Sequence, residues 1–132
     1  MRLLSPQFDA TEKACGGLLP DRLRSLYEEK RLILMEDLEI FPPSSGTKTK
    51  SYWVATFIPL DAEEAAATAD LSDFGRGCCF ATDGMGNYYW VEVLDKRRTD
   101  SPVYFACHDP YGNEKVADSL EEFLSCFPPG RK

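Results

Sequence analysis

The sequence predicts an α+β fold in which a mostly antiparallel sheet is packed on one face by N-terminal and C-terminal helices. Amphipathic helical patterns lie near both ends of the 132-residue chain, and short strand-like segments separated by turn residues fill the region between them. Helices at both ends of a meander suggest a sheet covered on one face. No repeat or change of composition divides the chain, so we expect one domain over residues 1–132.

Two short helices are predicted at the N-terminal end. Ser5 and Pro6 can cap and open the first helix, and Gly16 can end it. The second helix is predicted to begin at Asp21, directly after a proline. We expect the two helices to pack as a hairpin. The apolar face of the second helix consists of Leu23, Leu26 and Tyr27.

The middle of the chain combines strand propensity with one polar loop. Strands are predicted over residues 32–35, 38–41 and 52–58, and the last two are separated by a loop rich in proline, serine and lysine. Asp61 can cap a short helix that follows this region.

The C-terminal half alternates strands with turns. Strands are predicted over residues 78–82, 88–94 and 103–108, with turns at residues 83–87 and 109–113. In the first turn, Gly86 and Asn87 are expected to take the left-handed backbone conformation. Ser119 and Glu122 form a capping box that begins the closing helix.

Four segments of the chain follow one another in an order that resembles a known family. Their sequences are LLPDRLRSLY at 18–27, GMGNYYWV at 84–91, PVYF at 102–105 followed by HD at 108–109, and VADSLEEFL at 116–124. These segments are similar to the SUKH superfamily, the group of the yeast Smi and Knr cell-wall regulators and many bacterial immunity proteins. The resemblance implies an α+β fold and, for bacterial members, tight cytoplasmic binding of a sibling toxin domain. It implies no catalytic residues and no cofactor.

The chain departs from the family pattern in two places. Residues 28–32 read EEKRL where the family usually has an Asn-Gly pair, and residues 42–76 match no segment of the family. Since partner specificity can lie in the unmatched middle, the resemblance does not identify the partner.

Charge and cysteine usage narrow the class of partner and the compartment. The chain has 22 acidic and 15 basic residues, a net charge of -7. This charge disfavours nucleic acid and anionic membranes and suits a basic protein partner, although solubility alone is a sufficient reason for it. The five cysteines are odd in number and lack a Cys-x-x-Cys motif, which is typical of reduced thiols. Without a signal peptide or membrane-spanning run, the expected location is cytoplasmic.

Two sets of residues are candidates for partner binding. The first is an acidic run, for which a solvated face is the simpler interpretation. Its members are Asp61, Glu63, Glu64, Asp70 and Asp73.

The second set follows from strand alternation. Tyr89, Val91 and Val93 should face the helices, which leaves a second sheet face of large aromatic and acidic side chains. If open, that face has the composition of an interface hot spot, whereas a loop or the mid-chain helix could instead cover it. Its candidate residues are Tyr88, Trp90, Glu92 and Tyr104.

The sequence offers little support for catalysis or metal binding. His108 and Asp109 form the only histidine–carboxylate neighbours, and the adjacent Cys107 should point to the opposite face of its strand. The cysteines lack the ligand spacing of a metal site. We therefore expect no catalytic residue, no cofactor and no metal.

Three functional hypotheses remain from the sequence. The leading one is a non-enzymatic immunity protein that binds and neutralises a cognate toxin, for example a basic toxin of nuclease type. The alternative is a regulatory or scaffolding module that binds a cellular protein. The third and weakest hypothesis is an enzyme that uses Cys107 or His108.

Overall fold

The structure, a computed structural model, describes residues 7–28, 37–41, 51–68, 77–108 and 111–127. These residues form an α+β fold, as predicted, with four helices and seven strands. The helices are α1 (Phe8–Cys15), α2 (Asp21–Glu28), α3 (Ala62–Thr68) and α4 (Leu120–Ser125). The strands are β1 (Leu38–Ile40), β2 (Tyr52–Val54), β3 (Thr56–Phe57), β4 (Gly77–Thr82), β5 (Tyr88–Glu92), β6 (Val103–His108) and β7 (Tyr111–Ala117).

The strands form two antiparallel sheets. The larger sheet has the order β3-β4-β5-β6-β7, and the smaller one pairs β1 with β2. The single strand predicted over residues 52–58 is therefore wrong, because the chain changes sheets at Ala55. The Ala55 N–H donates to the Thr82 carbonyl beside the larger sheet, while the Ala55 carbonyl accepts from the Asp37 N–H beside β1.

The main core lies between the larger sheet, the smaller sheet and the helices. The predicted apolar face of α2 is confirmed, since Leu23, Leu26 and Tyr27 are all buried. The Tyr27 hydroxyl donates a hydrogen bond to the Ile58 carbonyl oxygen at 2.5 Å. This bond connects α2 to the segment that follows β3. From α4, Phe123 packs its ring 5.5 Å from that of Tyr89, so the closing helix covers the face predicted for it.

A second apolar cluster lies on the opposite face of the same sheet. It consists of Ile58, Cys79, Trp90 and Ala106, with Tyr88 and Tyr104 packed against it. The adjacent thiols confirm the strand alternation, because Cys78 belongs to the main core and Cys79 to the second cluster. All five cysteines are free thiols.

Most helix ends lie where the sequence predicts them. α1 begins at Phe8 with Gln7 at its N-cap, so the predicted start at Ser5 and Pro6 is wrong, and Gly16 ends it in the left-handed conformation with a φ of 83°. Asp61 caps α3 by accepting from the Glu64 N–H at 2.7 Å.

The capping box at α4 is confirmed with one variation. The Ser119 hydroxyl accepts from the Glu122 N–H at 3.0 Å. The Glu122 carboxylate in turn accepts from the N–H of Asp118, one residue before the position that the motif predicts. α1 packs chiefly on α3, and α2 packs on α4, so the expected hairpin of the first two helices does not form.

Two turn predictions need correction. β7 begins at Tyr111, where the sequence predicts a turn, because pairing with β6 holds the weakly strand-forming residues of this segment extended. In the turn between β4 and β5, Gly84 and Gly86 have positive φ, but Asn87 does not. The Asn87 side-chain amide instead donates to Asp83 at 2.8 Å. The strand predicted over residues 32–35 lies outside the described residues.

Candidate functional site

The aromatic face of the sheet is built by cross-strand pairing between β5 and β6. Trp90 lies directly opposite Tyr104, and their rings stack with centroids 4.6 Å apart. Trp90 is only 1% exposed, and its indole N–H donates to the Asn113 side-chain oxygen at 2.9 Å. Of the two interpretations that the sequence leaves open, an open face and a covered one, the covered face is the one observed at Trp90.

The second apolar cluster explains this burial. Ile58, from the segment after β3, packs with Trp90, and the Thr68 carbonyl at the end of α3 lies 3.9 Å from the Cys79 thiol. α3, the helix in the middle of the chain, therefore covers part of this face. Tyr88 and Tyr104 remain half-buried at the border of the cluster. Solvent therefore reaches these two rings but not the Trp90 indole.

Glu92 ends β5 and is half-buried. Its backbone carbonyl accepts a hydrogen bond from the Arg98 guanidinium, which ties the charged loop after β5 back to the strand. The structure therefore gives the Glu92 backbone a role in holding this loop.

The described part of the acidic run lies at the beginning of α3. Asp61 is half-buried and committed to capping the helix, Glu64 is half-buried, and Glu63 is exposed. A carboxylate in the first turn of a helix is stabilised by the helix dipole, which gives these residues a structural reason for their position. Asp70 and Asp73 lie outside the described residues.

A third surface, which carries exposed apolar side chains, was not predicted from the sequence. Among the described residues, the large exposed apolar side chains are Phe41, Trp53 and Met85, which are 57%, 45% and 75% exposed. Trp53 belongs to β2 of the smaller sheet, Phe41 directly follows β1, and Met85 lies at the tip of the turn between β4 and β5. In the sequence, Leu38 and Ile40 alternate with Glu39 and Phe41. This period of two predicts that Glu39 and Phe41 share the outward face of a strand.

The buried acidic group of the N-terminal region is Glu12. It accepts a hydrogen bond from the Leu19 N–H at 2.9 Å and a second, short one from Arg97. Burial opposes ionisation of this carboxyl group, but these hydrogen bonds and the charges of Arg97 and Arg24 outweigh it and lower the pKa of Glu12. These contacts consequently favour the ionised form of the Glu12 carboxylate.

Local surroundings shift the pKa values of Cys15, Cys78 and Cys79 in different directions. Burial raises the pKa of Cys79 to about 12. A hydrogen bond shared with Cys15 is the largest reason why the pKa of Cys78 is raised, and the same bond outweighs burial in lowering the pKa of Cys15. Within the described ranges, no group of three or more metal-ligating side chains comes together. The His108 side chain lies outside the described residues.

The comparison with protein families agrees with this architecture. The model of the SMI1/KNR4 family (SUKH-1) matches residues 5–126, a range that includes residues 42–76, for which the sequence alone showed no matching segment. The chain belongs to the SMI1/KNR4 family. No curated protein and no solved structure matches it. Family membership suggests a protein partner, because the family is known for immunity-type domains that are generally not catalytic.

The SMI1/KNR4 segments serve mainly to hold the fold together. Leu18 forms an antiparallel bridge with Leu94, and a Cβ at Gly17 would lie 3.0 Å from the Leu94 carbonyl oxygen. The segment 116–124 contains the end of β7 and the capping box of α4. These two motifs therefore contribute core contacts and the cap of a helix.

No helix in the described ranges is long and apolar enough to cross a membrane.

Proposed function

We propose that this protein is an immunity protein that binds a cognate toxin and neutralises it by covering its functional surface. The observation that carries the proposal is the match to the SMI1/KNR4 family over residues 5–126. The net charge of -7 adds a preference for a basic partner. Opposite charge on the two proteins would accelerate their encounter and make binding weaken as salt is added.

Of the residues predicted on the aromatic face, we keep Tyr88, Tyr104 and Glu92 as partner contacts and give Trp90 a supporting role. Tyr88 and Tyr104 are the aromatic groups that a partner can reach, and Glu92 lies at the end of the same strand as Tyr88. Trp90 supports the Tyr104 ring from below by stacking and does not itself contact the partner. Removing the Tyr104 ring should weaken binding by about 1–2 kcal/mol, typical of a contributing interface aromatic group.

The acidic residues supply the electrostatic part of the proposal. Glu63 and Glu64 project from the first turn of α3, and Asp61 holds that turn in place. Asp70 and Asp73 extend the same run in the sequence. Together these carboxylates would act mainly on the association rate, because exposed charges contribute little to the strength of a formed contact.

Co-expression with the polypeptide encoded directly beside this protein tests the function. The expected result is that the neighbour arrests growth, that this protein restores growth, and that the two purify as one complex. Toxicity without rescue, or a neighbour that is not toxic, would overturn the proposal. In that case a growth phenotype on deletion, with no toxin present, would identify the regulatory alternative.

Matched variants test the residues. The double variant Glu63→Gln/Glu64→Gln should slow association with the toxin and flatten its salt dependence. The double variant Glu28→Gln/Glu121→Gln removes the same charge from α2 and α4 and should change association much less. Equal effects of the two double variants would show that net charge alone matters and that α3 is not the site.

A further inference from the structure

The exposed apolar side chains of the described residues lie on neighbouring parts of the fold. Trp53 is in β2, Phe41 follows β1, and Met85 is at the tip of the turn between β4 and β5. This turn lies beside the residue that follows β2, since a Cβ at Gly84 would lie 3.3 Å from the Ala55 Cβ. Trp53 is two residues away from Ala55 along the chain, so the turn lies near the end of β2.

The smaller sheet turns one face inward and one outward. Ile40, Tyr52 and Val54 belong to the main core. Glu39 and Trp53 alternate with these residues, are exposed, and lie directly opposite each other in the antiparallel register. Side chains at directly opposed positions have Cβ atoms about 5 Å apart, so the carboxylate and the indole form one surface unit.

The Glu39 carboxylate is held in place beside the indole. The Ser51 hydroxyl donates to Glu39 Oε2 at 2.6 Å, which fixes one oxygen and orients the group along the outer face of the sheet. A carboxylate accepts several hydrogen bonds, so it can still accept from a partner while bound to Ser51.

The charge around this unit is negative. Asp37 is exposed at the beginning of β1, and Asp83 is half-buried in the adjoining turn. Within the described ranges 37–41, 51–57 and 82–87 there is no lysine or arginine. The sequence between β1 and β2 contains Lys48 and Lys50, which lie outside the described residues.

We propose that the surface formed by Asp37, Glu39, Phe41, Trp53 and Met85, the Trp53 face, binds an arginine side chain of a protein partner. The guanidinium would stack on the Trp53 ring and donate hydrogen bonds to the Glu39 carboxylate. Arginine fits better than lysine because its planar group can stack and pair at the same time. This inference rests on the proposed protein-binding function and adds a second surface and a chemistry to it.

Two other occupants fit the Trp53 face less well. A second copy of this chain, docked symmetrically, would bring the Asp37 and Glu39 carboxylates of both copies into one interface, and like charges across an interface are unfavourable. Nucleic-acid bases could stack on the indole, but the neighbouring carboxylates would repel the phosphates.

Nuclear magnetic resonance of the full ¹⁵N-labelled chain tests the inference with three nine-residue peptides. They alternate glycine with arginine, lysine or glutamate. The arginine peptide should shift the indole N–H signal of Trp53, while that of Trp90, buried and bonded to Asn113, stays in place as an internal control. The lysine peptide should bind about threefold more weakly and the glutamate peptide not at all.

Variants assign the effect to the two residues. Trp53→Ala and Glu39→Gln should each weaken binding of the arginine peptide by about three- to tenfold, whereas Glu28→Gln, on α2, should leave it unchanged. Equal binding of the arginine and lysine peptides, or a Trp53 signal that does not move, overturns the inference. Binding of the arginine peptide that survives both substitutions also overturns the inference.

The peptide titration is independent of the toxin experiment. If the chain rescues growth but the arginine peptide leaves Trp53 unaffected, the proposed function stands and the Trp53 face is not the site. If the peptide binds as expected but no neighbouring toxin is neutralised, the recognition chemistry stands and the immunity function fails.

Discussion

Substitution of Glu12 by glutamine should destabilise the protein by removing a buried charge that three segments share. Glu12 is 8% exposed. Its carboxylate connects α1 to the Leu19 N–H and to the Arg97 guanidinium. Arg97 also donates to the Leu19 carbonyl at 3.0 Å, so this contact closes a small network. Glutamine keeps the shape and one acceptor oxygen but loses the charge.

The expected loss follows from the strength of the hydrogen bonds. A bond to a charged group contributes roughly 1 kcal/mol more than a neutral one, and two such bonds give about 2 kcal/mol. The Arg97 side chain is one-third exposed and can be hydrated once released, which reduces the expected loss to about 1–2 kcal/mol. Glu12→Ala also leaves the buried Leu19 N–H without its acceptor and should cost about 3–4 kcal/mol.

The pH dependence separates the charge from the packing. The pKa of Glu12 is lowered below its ordinary value of 4.5 in the folded protein, so on acidification the unfolded chain binds the proton first. The stabilisation is therefore fully present above about pH 4.5 and is lost as the pH falls through the folded pKa. Urea unfolding at several pH values should show the wild-type protein approaching the Glu12→Gln variant in strongly acidic solution.

Two results would refute this reasoning. The first is a difference below about 0.5 kcal/mol between wild type and Glu12→Gln at pH 7, which is the range of an ordinary surface substitution. The second is a difference that stays constant from pH 7 to strong acid. Glu28→Gln, an exposed carboxylate at the end of α2, serves as the matched control and should change stability little at any pH.

Three further substitutions test other contacts by urea unfolding. Gly17→Ala should cost about 1–3 kcal/mol, because the new Cβ would meet the Leu94 carbonyl oxygen and the backbone around it at 3.0 Å; an unchanged midpoint would contradict that close approach. Asp100→Asn should cost about 1 kcal/mol, since this carboxylate accepts from the first N–H of α4 at 2.6 Å and carries a charge suited to a helix N-terminus; a neutral result would remove its capping role. Trp90→Phe should cost about 2 kcal/mol by losing ring volume and the bond to Asn113, and a fully stable variant would contradict the buried position of the indole.

Local sequence signals predicted those parts of the fold that depend on near neighbours along the chain. The Ser119 and Glu122 pair marks the start of α4 because a capping box is made within one helical turn. Asp61 and Gly16 were found for the same reason at the ends of α3 and α1. The alternation of β5 placed Tyr89 and Val91 in the core and Trp90 on the other face, since successive strand residues point to opposite sides.

Features that depend on distant partners were missed. The sheet change at Ala55 requires Thr82 and Asp37, which are far away in sequence, so residues 52–58 look like one continuous strand. β7 has weak strand propensity and is held extended by β6. The burial of Trp90 is also a tertiary effect, because Ile58 covers a ring that the strand pattern alone leaves facing outward.

By itself, the sequence determined the α+β class, the family and the acidic character of this protein. These properties are carried by motif order, helix caps, strand alternation and charge, all of which are local or additive along the chain. Only the tertiary structure decided which aromatic side chains face solvent. It buries Trp90 beneath Tyr104 and leaves Trp53 beside Glu39, because exposure depends on what packs above a residue and not on the residue itself.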